Sequence, residues 1–496
     1  MAAPSPRVET VQAGRLPPWK VVPELPAPPP YNFRNAIKLI GPGAIALGIS
    51  IGSGEWLLGP TVTVKYGAGL LWIATLSILI QVVYNMEAVR YTLYTGEPIF
   101  TGFMRTAPGP TFWGWVYSIL AALQIGWPGW ALTAATAISA GILGRLPDAA
   151  GADRGMVLFW GYMTFIAAIV IIALGDKVER TMEYVQWFFV GWIILYLLII
   201  GIFFAPGSSW AMVIKGFLGM GDRLLPNRGD WVFMGAFAAY AGMGGLVNGT
   251  LSNWVRDKGW GMGGVVGYIP AVVGGHKVNL SQTGSVFQLT PENLRRFNEW
   301  WKYVRADQVY VWMLGCFIGM ALPAIMTVTF IQPGTNPNQW GIAAMQAEAI
   351  AKVWGPAFWF LTLLNGFWIL FSTQLGQTES FVRTVTDILW VGSERVRNWS
   401  GGDVRKIYYT ILVLFAGLGM VLINFAPPLT LIVIGAFISG VNFVVLAAHT
   451  LYVNRNFLPE GVRPPLWRQA VLVLMMIFFG FFATLGILNS VFKIRV

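Results

Sequence analysis

The chain has almost no cysteine or histidine. One cysteine, Cys316, stands among 496 residues, so no intramolecular disulfide can form and a cysteine-based metal site is not expected. Two histidines, His276 and His449, leave no His-rich ligand cluster. Charge is scarce as well. Charged residues make up 11% of the chain, against about 25% in soluble proteins. That deficit excludes an ordinary soluble enzyme and a disordered protein. No GxxxxGK[ST] sequence occurs, which argues against ATP-driven pumping by this chain alone. Residues 1–30 lack the apolar core of a signal peptide. Their prolines make them a poor helix former, expected to lie along the cytoplasmic surface as a tether or to be partly disordered.

Apolar residues are abundant instead, at 56% of the chain. Apolar runs fall at 37–60, 69–93, 112–143, 156–175, 184–206, 231–254, 306–330, 355–386, 405–425, 429–451 and 468–490. Each matches the roughly 20 residues that a bilayer-spanning helix needs. The expectation is an all-α polytopic membrane protein in contact with the lipid bilayer. Trp72, Trp113, Trp187, Trp231, Trp254 and Trp354 mark run ends, as aromatic belts do. The formal charge of +11 reads as basic residues held on one side of the membrane, with no nucleic acid as partner. With the N-terminus inside, about 24 Lys and Arg fall inside and about 9 outside. Arg7, Arg15, Lys20, Arg256, Lys258, Arg295 and Arg395 are among the inner ones. An odd span count then puts the C-terminus outside. The expected location is the inner (plasma) membrane of a prokaryote.

The organisation follows from the runs. Residues 1–36 form a cytoplasmic tail and 37–206 a first set of five helices. Residues 207–254 form an outer loop and a sixth span, and 255–305 a cytoplasmic connector, glycine-rich at 259–267 and amphipathic at 291–301. Residues 306–451 supply four more spans, and 452–496 an inner loop and an eleventh.

Two spans carry too many glycines for plain helices. The first has Gly48, Gly52, Gly54 and Gly59; the sixth has Gly242, Gly244, Gly245 and Gly249. Glycine costs a helix about 1 kcal/mol relative to alanine, and unwound backbone at membrane depth needs protein or a water-filled cavity to receive it. Paired breaks at matching positions, five spans apart, point to an inverted-repeat transporter. Close packing of small residues is the alternative reading. Glu55 follows the first break. A carboxylate inside the membrane is a functional-site candidate; it could bind a cation, carry a proton, or cap the half-helix. It is the one proton-coupling candidate.

These residues resemble the Nramp family of proton-coupled divalent-metal transporters. The likeness rests on Gly41-Pro42-Gly43, Gly52-Ser53-Gly54-Glu55-Trp56, Tyr66-Gly67 and Leu70-Leu71-Trp72, followed by Arg90 and Tyr94-Thr95-Gly96. The resemblance implies a LeuT-type fold: an inverted repeat of five plus five helices, broken helices 1 and 6, and one extra C-terminal span. It also implies that positions 52 and 55 hold the metal, where the family has Asp and Asn. Here they are Gly52 and Glu55, so the carboxylate has moved about one turn. In the sixth span one register places the family's metal-binding methionine on Met243 and its alanine on Tyr240. Another, anchored on Ala241, places the methionine on Gly244. The histidines that follow in the family are absent, as is the acid of the third span, which here has Gln124 and Trp127-Pro128-Gly129-Trp130.

The candidate substrate site is therefore Gly52, Ser53, Glu55, Tyr240, Met243, Gln377 and Asn442, with Glu55 and Met243 as candidate metal ligands. Gln377 belongs to a polar stripe in span 8 with Asn365, Ser372, Thr373, Gln374, Thr378 and Glu379; such a stripe faces a pathway or bonds between helices. Glu379, Arg383 and Asp387 read as an i,i+4 ladder, and Glu87 with Arg90 as a structural pair. His449 reads as a surface or interface residue. The expected function is a secondary transporter, not an enzyme, without cofactor and monomeric. One reading gives it a small cation, including a divalent metal with altered selectivity. The other gives it a small organic solute such as an amino acid or organic cation, with metal binding and proton coupling lost.

Overall fold

A chain with so few polar side chains must satisfy its backbone internally, and helices do this within each segment. The computed structural model describes residues 9–227, 229–278, 280–332, 334–335 and 342–490. Arg7 and the last six residues of the 452–496 segment lie outside them. Among the described residues, eight helical stretches are long and apolar enough to cross a membrane. One of them, Pro42–Thr95, holds spans 1 and 2, joined by the tight turn Gly67–Leu71. Spans 4, 5 and 7 lie in Arg154–Ala173, Val178–Phe204 and Pro291–Phe330, and spans 8 to 11 in Pro356–Gly392, Val404–Leu422, Pro428–Phe457 and Leu466–Ser490. Spans 3 and 6 are each split into two shorter helices, which completes the eleven.

The break in span 3 departs from the uninterrupted run expected at 112–143. The helices are Pro110–Ile125 and Gly129–Leu143. Pro128 lacks an N–H and disfavours helical backbone at Trp127, and together these end the first helix. Span 7 continues without interruption from the amphipathic connector helix Pro291–Arg305 through a π-helical stretch, Ala306–Met313.

Spans 1, 6 and 8 lie at the centre. Every residue from Pro42 to Ser50 and from Leu246 to Asp257 is buried. The outer spans turn large apolar side chains outward, among them Phe159, Ile166, Val413, Leu414 and Leu418. Lipid is as apolar as these side chains, so close packing and polar contacts hold the bundle together.

The tail is more ordered than a tether. Strand β1 (Thr10–Val11) pairs antiparallel with β2 (Trp19–Val22), which pairs parallel with β3 (Ser285–Phe287) of the connector. Trp19 is buried, and the Arg105 guanidinium lies 4.6 Å from its ring centre. Arg105 is held by Glu97 and donates to the carbonyls of Ala13 and Pro17 at 2.9 and 3.0 Å. Further on, the prolines leave carbonyls free to accept: Pro26 from Trp300 at 2.8 Å and Pro29 from Tyr303 at 3.0 Å. The tail thus forms a strap across the connector helix. Truncating a buried tryptophan costs about 3–5 kcal/mol. Trp19→Ala is therefore expected to release the strap and speed tryptic cleavage after Arg15 or Lys20 about 100-fold. Cleavage no faster than in the wild type would show that Trp19 does not anchor it.

Candidate functional site

Both expected breaks are present. Span 1 is helical over Pro42–Ser50, unwinds at Ile51 and Gly52, and resumes at Ser53, passing into a π-helical turn, Gly54–Leu58. Span 6 is helical over Trp231–Tyr240, leaves the helix for five residues, and resumes at Leu246–Lys258. Gly242, Gly244 and Gly245 have φ of +129°, +85° and +55°. This region favours glycine, so the cluster is required by the turn. The two breaks touch, since a Cβ added to Gly54 would collide with the Tyr240 carbonyl oxygen.

A break leaves carbonyls at one half-helix end and N–H groups at the next. At span 1 the carbonyls are taken by span 8: Ser372 Oγ donates to Gly48 O at 3.0 Å and Thr373 Oγ1 to Ile49 O at 3.2 Å. At span 6 they are taken by spans 2 and 3. Gln81 Nε2 donates to Ala241 O at 2.9 Å and Gln124 Nε2 to Gly244 O at 2.8 Å. Gln124 Oε1 also accepts from the Leu246 N–H at 3.0 Å, at the start of the second half-helix. The bracing is reciprocal: the third span of each repeat holds the break of the other.

Glu55 sits between the breaks and is fully buried. Its Oε2 accepts the Gly52 N–H at 3.2 Å, and the Gly242 N–H also faces the carboxylate. Its Oε1 has no hydrogen-bond partner. One oxygen thus caps the half-helix and the other is left available. A buried acceptor without a partner costs about 1–3 kcal/mol, more when charged.

The other expected residues are all buried but divide into groups. Gly52 lies against Thr373, which a Cβ there would strike. Ser53 Oγ accepts from Trp130 Nε1 at 3.1 Å. Tyr240, Ser439 and Asn442 cluster beside the second break. A Cβ on Gly244 would lie 2.7 Å from the Tyr240 ring and 3.0 Å from Ser439 Oγ. Asn442 Nδ2 donates to Gln124 Oε1 at 2.8 Å. The Tyr240 hydroxyl, Ser439 Oγ and Asn442 Oδ1 have no hydrogen-bond partner, and neither does Gln377 Oε1 in span 8. Met243 lies within the second break. Among the described residues no group of three or more His, Cys, Asp or Glu is placed to hold a metal ion.

Sequence reasoning missed Gln81, Ser439 and the bracing role of Gln124. The signal for Gln81 and Gln124 is a polar amide in an otherwise apolar span; its partner appears only in three dimensions. His449, expected near a surface, is buried beside Phe103 and Trp113. Its Nδ1 and Nε2 hydrogen-bond the Tyr117 hydroxyl at 2.7 Å and Thr106 Oγ1 at 2.8 Å. The ladder in span 8 is also rearranged. Arg383 Nε donates to Glu379 at 2.5 Å, but its second carboxylate is Asp257 of span 6, and Asp387 pairs with Arg256 at 2.7 Å. Glu87 and Arg90 form the expected ion pair at 2.7 Å, joined by Arg468.

No protein-family model matches the chain, and no curated protein matches it. Among solved structures it is similar to the Eremococcus coleocola manganese transporter. A mutant form of that protein aligns with a TM-score of 0.65 at 14% identity, over 95% of this chain and 90% of that one. The same transporter bound to an aromatic bis-isothiourea substituted compound gives 0.65 and 14%, over 94% and 89%. Mhp1, a nucleobase-cation-symport-1 family transporter in a closed conformation, gives 0.50 and 12%, over 90% of each chain. The likeness is one of fold, and with the paired breaks and the eleven spans it gives this chain the LeuT-type fold: five plus five helices and one further C-terminal span.

Proposed function

We propose that this protein is a secondary transporter that carries a cation across the bilayer by alternating access around Glu55. The observation that carries the reading is the buried Glu55 carboxylate, held between two helix breaks with one oxygen unpartnered. A cation can complete that oxygen's coordination at a depth where water cannot easily substitute. The first-span motif and the fold shared with a manganese transporter support descent from an Nramp-like ancestor, with the carboxylate relocated from position 52 to position 55. The excess of Lys and Arg on the connector side supports a cytoplasmic connector and N-terminus.

A second reading rests on a separate observation. The Tyr240 hydroxyl, Ser439 Oγ and Asn442 Oδ1 lie unpaired beside the second break. Such groups suit an organic ammonium or an amino acid, which brings its own N–H donors.

Uptake of manganese and magnesium into proteoliposomes with an internal pH probe tests the first reading. Saturable flux is expected for one of the two ions. Removing one side of a buried charge interaction costs about 3–5 kcal/mol, so Glu55→Gln is expected to cut flux about 100-fold or more. Undiminished flux in that variant would remove Glu55 from the site. No flux of either ion, from folded wild type in tight vesicles, would favour the organic solute.

A further inference from the structure

Span 5 carries two carboxylates, Glu179 and Glu183, at its connector end. They are four residues apart, hence on one helix face, where like charges repel. Both are buried, at 1% and 7% exposure. Lys258, the last residue of the second half of span 6, reaches between them. Its ammonium pairs with Glu183 and stands 3.9 Å from Glu179 Oε1, too far for a hydrogen bond. Glu179 Oε1 has no hydrogen-bond partner. The neighbouring arginines, Arg256 and Arg383, are already engaged by Asp257, Glu379 and Asp387. One ammonium therefore serves two buried carboxylates, and the pair is one positive charge short.

Span 5 packs against the half of span 1 that precedes Glu55. The Glu183 carboxylate packs against Gly41 at the start of span 1, where a Cβ would be 2.5 Å from its oxygen. About one turn further along span 5, Gln186 Oε1 faces Gly48 and has no hydrogen-bond partner. Glu55 Oε1, also unpartnered, lies just past the break in span 1. The 11 residues from Gly41 to Gly52 span about 16 Å at helical rise. The first half of span 1 is thus flanked by the Lys258-bound Glu183 carboxylate at the connector face and by the unpartnered Gln186 Oε1 nearer the central site.

We propose that Glu179 and Glu183 form a second cation site, in which the Lys258 ammonium is a tethered stand-in for a hydrated divalent cation. Two carboxylates with no sulfur or imidazole make a hard-oxygen site. A magnesium-like ion commonly takes one or two carboxylates and keeps several waters. A divalent ion neutralises both carboxylates, which a single ammonium does not. Lys258 precedes Gly259, whose φ of +85° ends the helix, so a shift of this half of span 6 would withdraw the ammonium and open the pair to the passing ion. The site's place on a transport route rests on the proposed function; its ability to bind does not.

Manganese(II) counted by electron paramagnetic resonance on the purified full-length chain tests this. Lys258→Met is expected to bind one more manganese per chain than the wild type. That extra ion should vanish when Glu179→Gln and Glu183→Gln are added, and should survive Glu55→Gln. If Lys258→Met does not fold, Lys258→Gln carries the same expectation, because it also removes the charge. An unchanged count in the folded lysine variant, or an extra ion that survives loss of both carboxylates, would overturn the site. An extra ion in that variant, with no wild-type flux and no binding sensitive to Glu55→Gln, would support the site while overturning the transport reading.

Discussion

Arg383→Met is expected to be the most destabilising single substitution in the bundle. Arg383 is fully buried and joins Glu379 of its own helix to Asp257 of span 6. Glu379 also accepts from Trp254 Nε1 at 2.8 Å and the Tyr408 hydroxyl at 3.1 Å, so three spans meet at one carboxylate. Methionine fills a similar volume but leaves Glu379 without its cation and Asp257 with Arg256 alone. Breaking a buried pair from one side costs about 3–5 kcal/mol. Lysine should not restore the loss, because one ammonium cannot hold two carboxylates as a planar guanidinium does. Thermal unfolding in detergent checks both variants. A melting temperature equal to the wild type for Arg383→Met would mean that the carboxylates do not depend on this residue.

Gly54→Ala is expected to impair transport more than its single methyl group suggests. The added Cβ would meet the Tyr240 carbonyl oxygen, and backbone cannot swing aside as a side-chain tip does. The two breaks would be forced apart, with Glu55 next to the displaced residue. Overpacking costs about 1–3 kcal/mol in stability. Where the strained arrangement is also the binding arrangement, the same energy lowers affinity by a factor of about 5 to 150. Gly417→Ala in span 9 is the control, since nothing lies within 4 Å of its added Cβ. The measurement is uptake of whichever solute the wild type carries. Equal uptake by both variants would show that the breaks need not touch.

Much of this architecture was legible in the sequence because membrane solvent imposes simple rules. Long apolar runs read as helices, and the glycine clusters at Gly52–Gly54 and Gly242–Gly245 read as interruptions, with close helix packing as the alternative. Glu55 stood out because a carboxylate is costly there. The break in span 3 was visible in Pro128 and was passed over because the apolar run continued through it. Contacts between helices were less legible. The i,i+4 rule tied Arg383 to Glu379 correctly and to Asp387 wrongly, since Asp257 on another helix competes for the same guanidinium. The tail's prolines suggested a loose segment. They do prevent a helix, but the carbonyls they leave free are what the connector helix binds. His449 looked peripheral near the end of its helix, yet the aromatic side chains of Phe103 and Trp113 cover it.

The reciprocal bracing of the breaks bears on how the protein is made. Span 1 enters the membrane long before span 8, so the carbonyls of Gly48 and Ile49 must wait, without Ser372 and Thr373, until more than 300 further residues have been synthesised. Span 6 has no such delay, because Gln81 and Gln124 precede it. The nascent first half therefore cannot settle into its final shape by itself, whereas the second half meets its braces on arrival. A fold with internal symmetry is in this sense asymmetric in time, and its first helix is among the last to be completed.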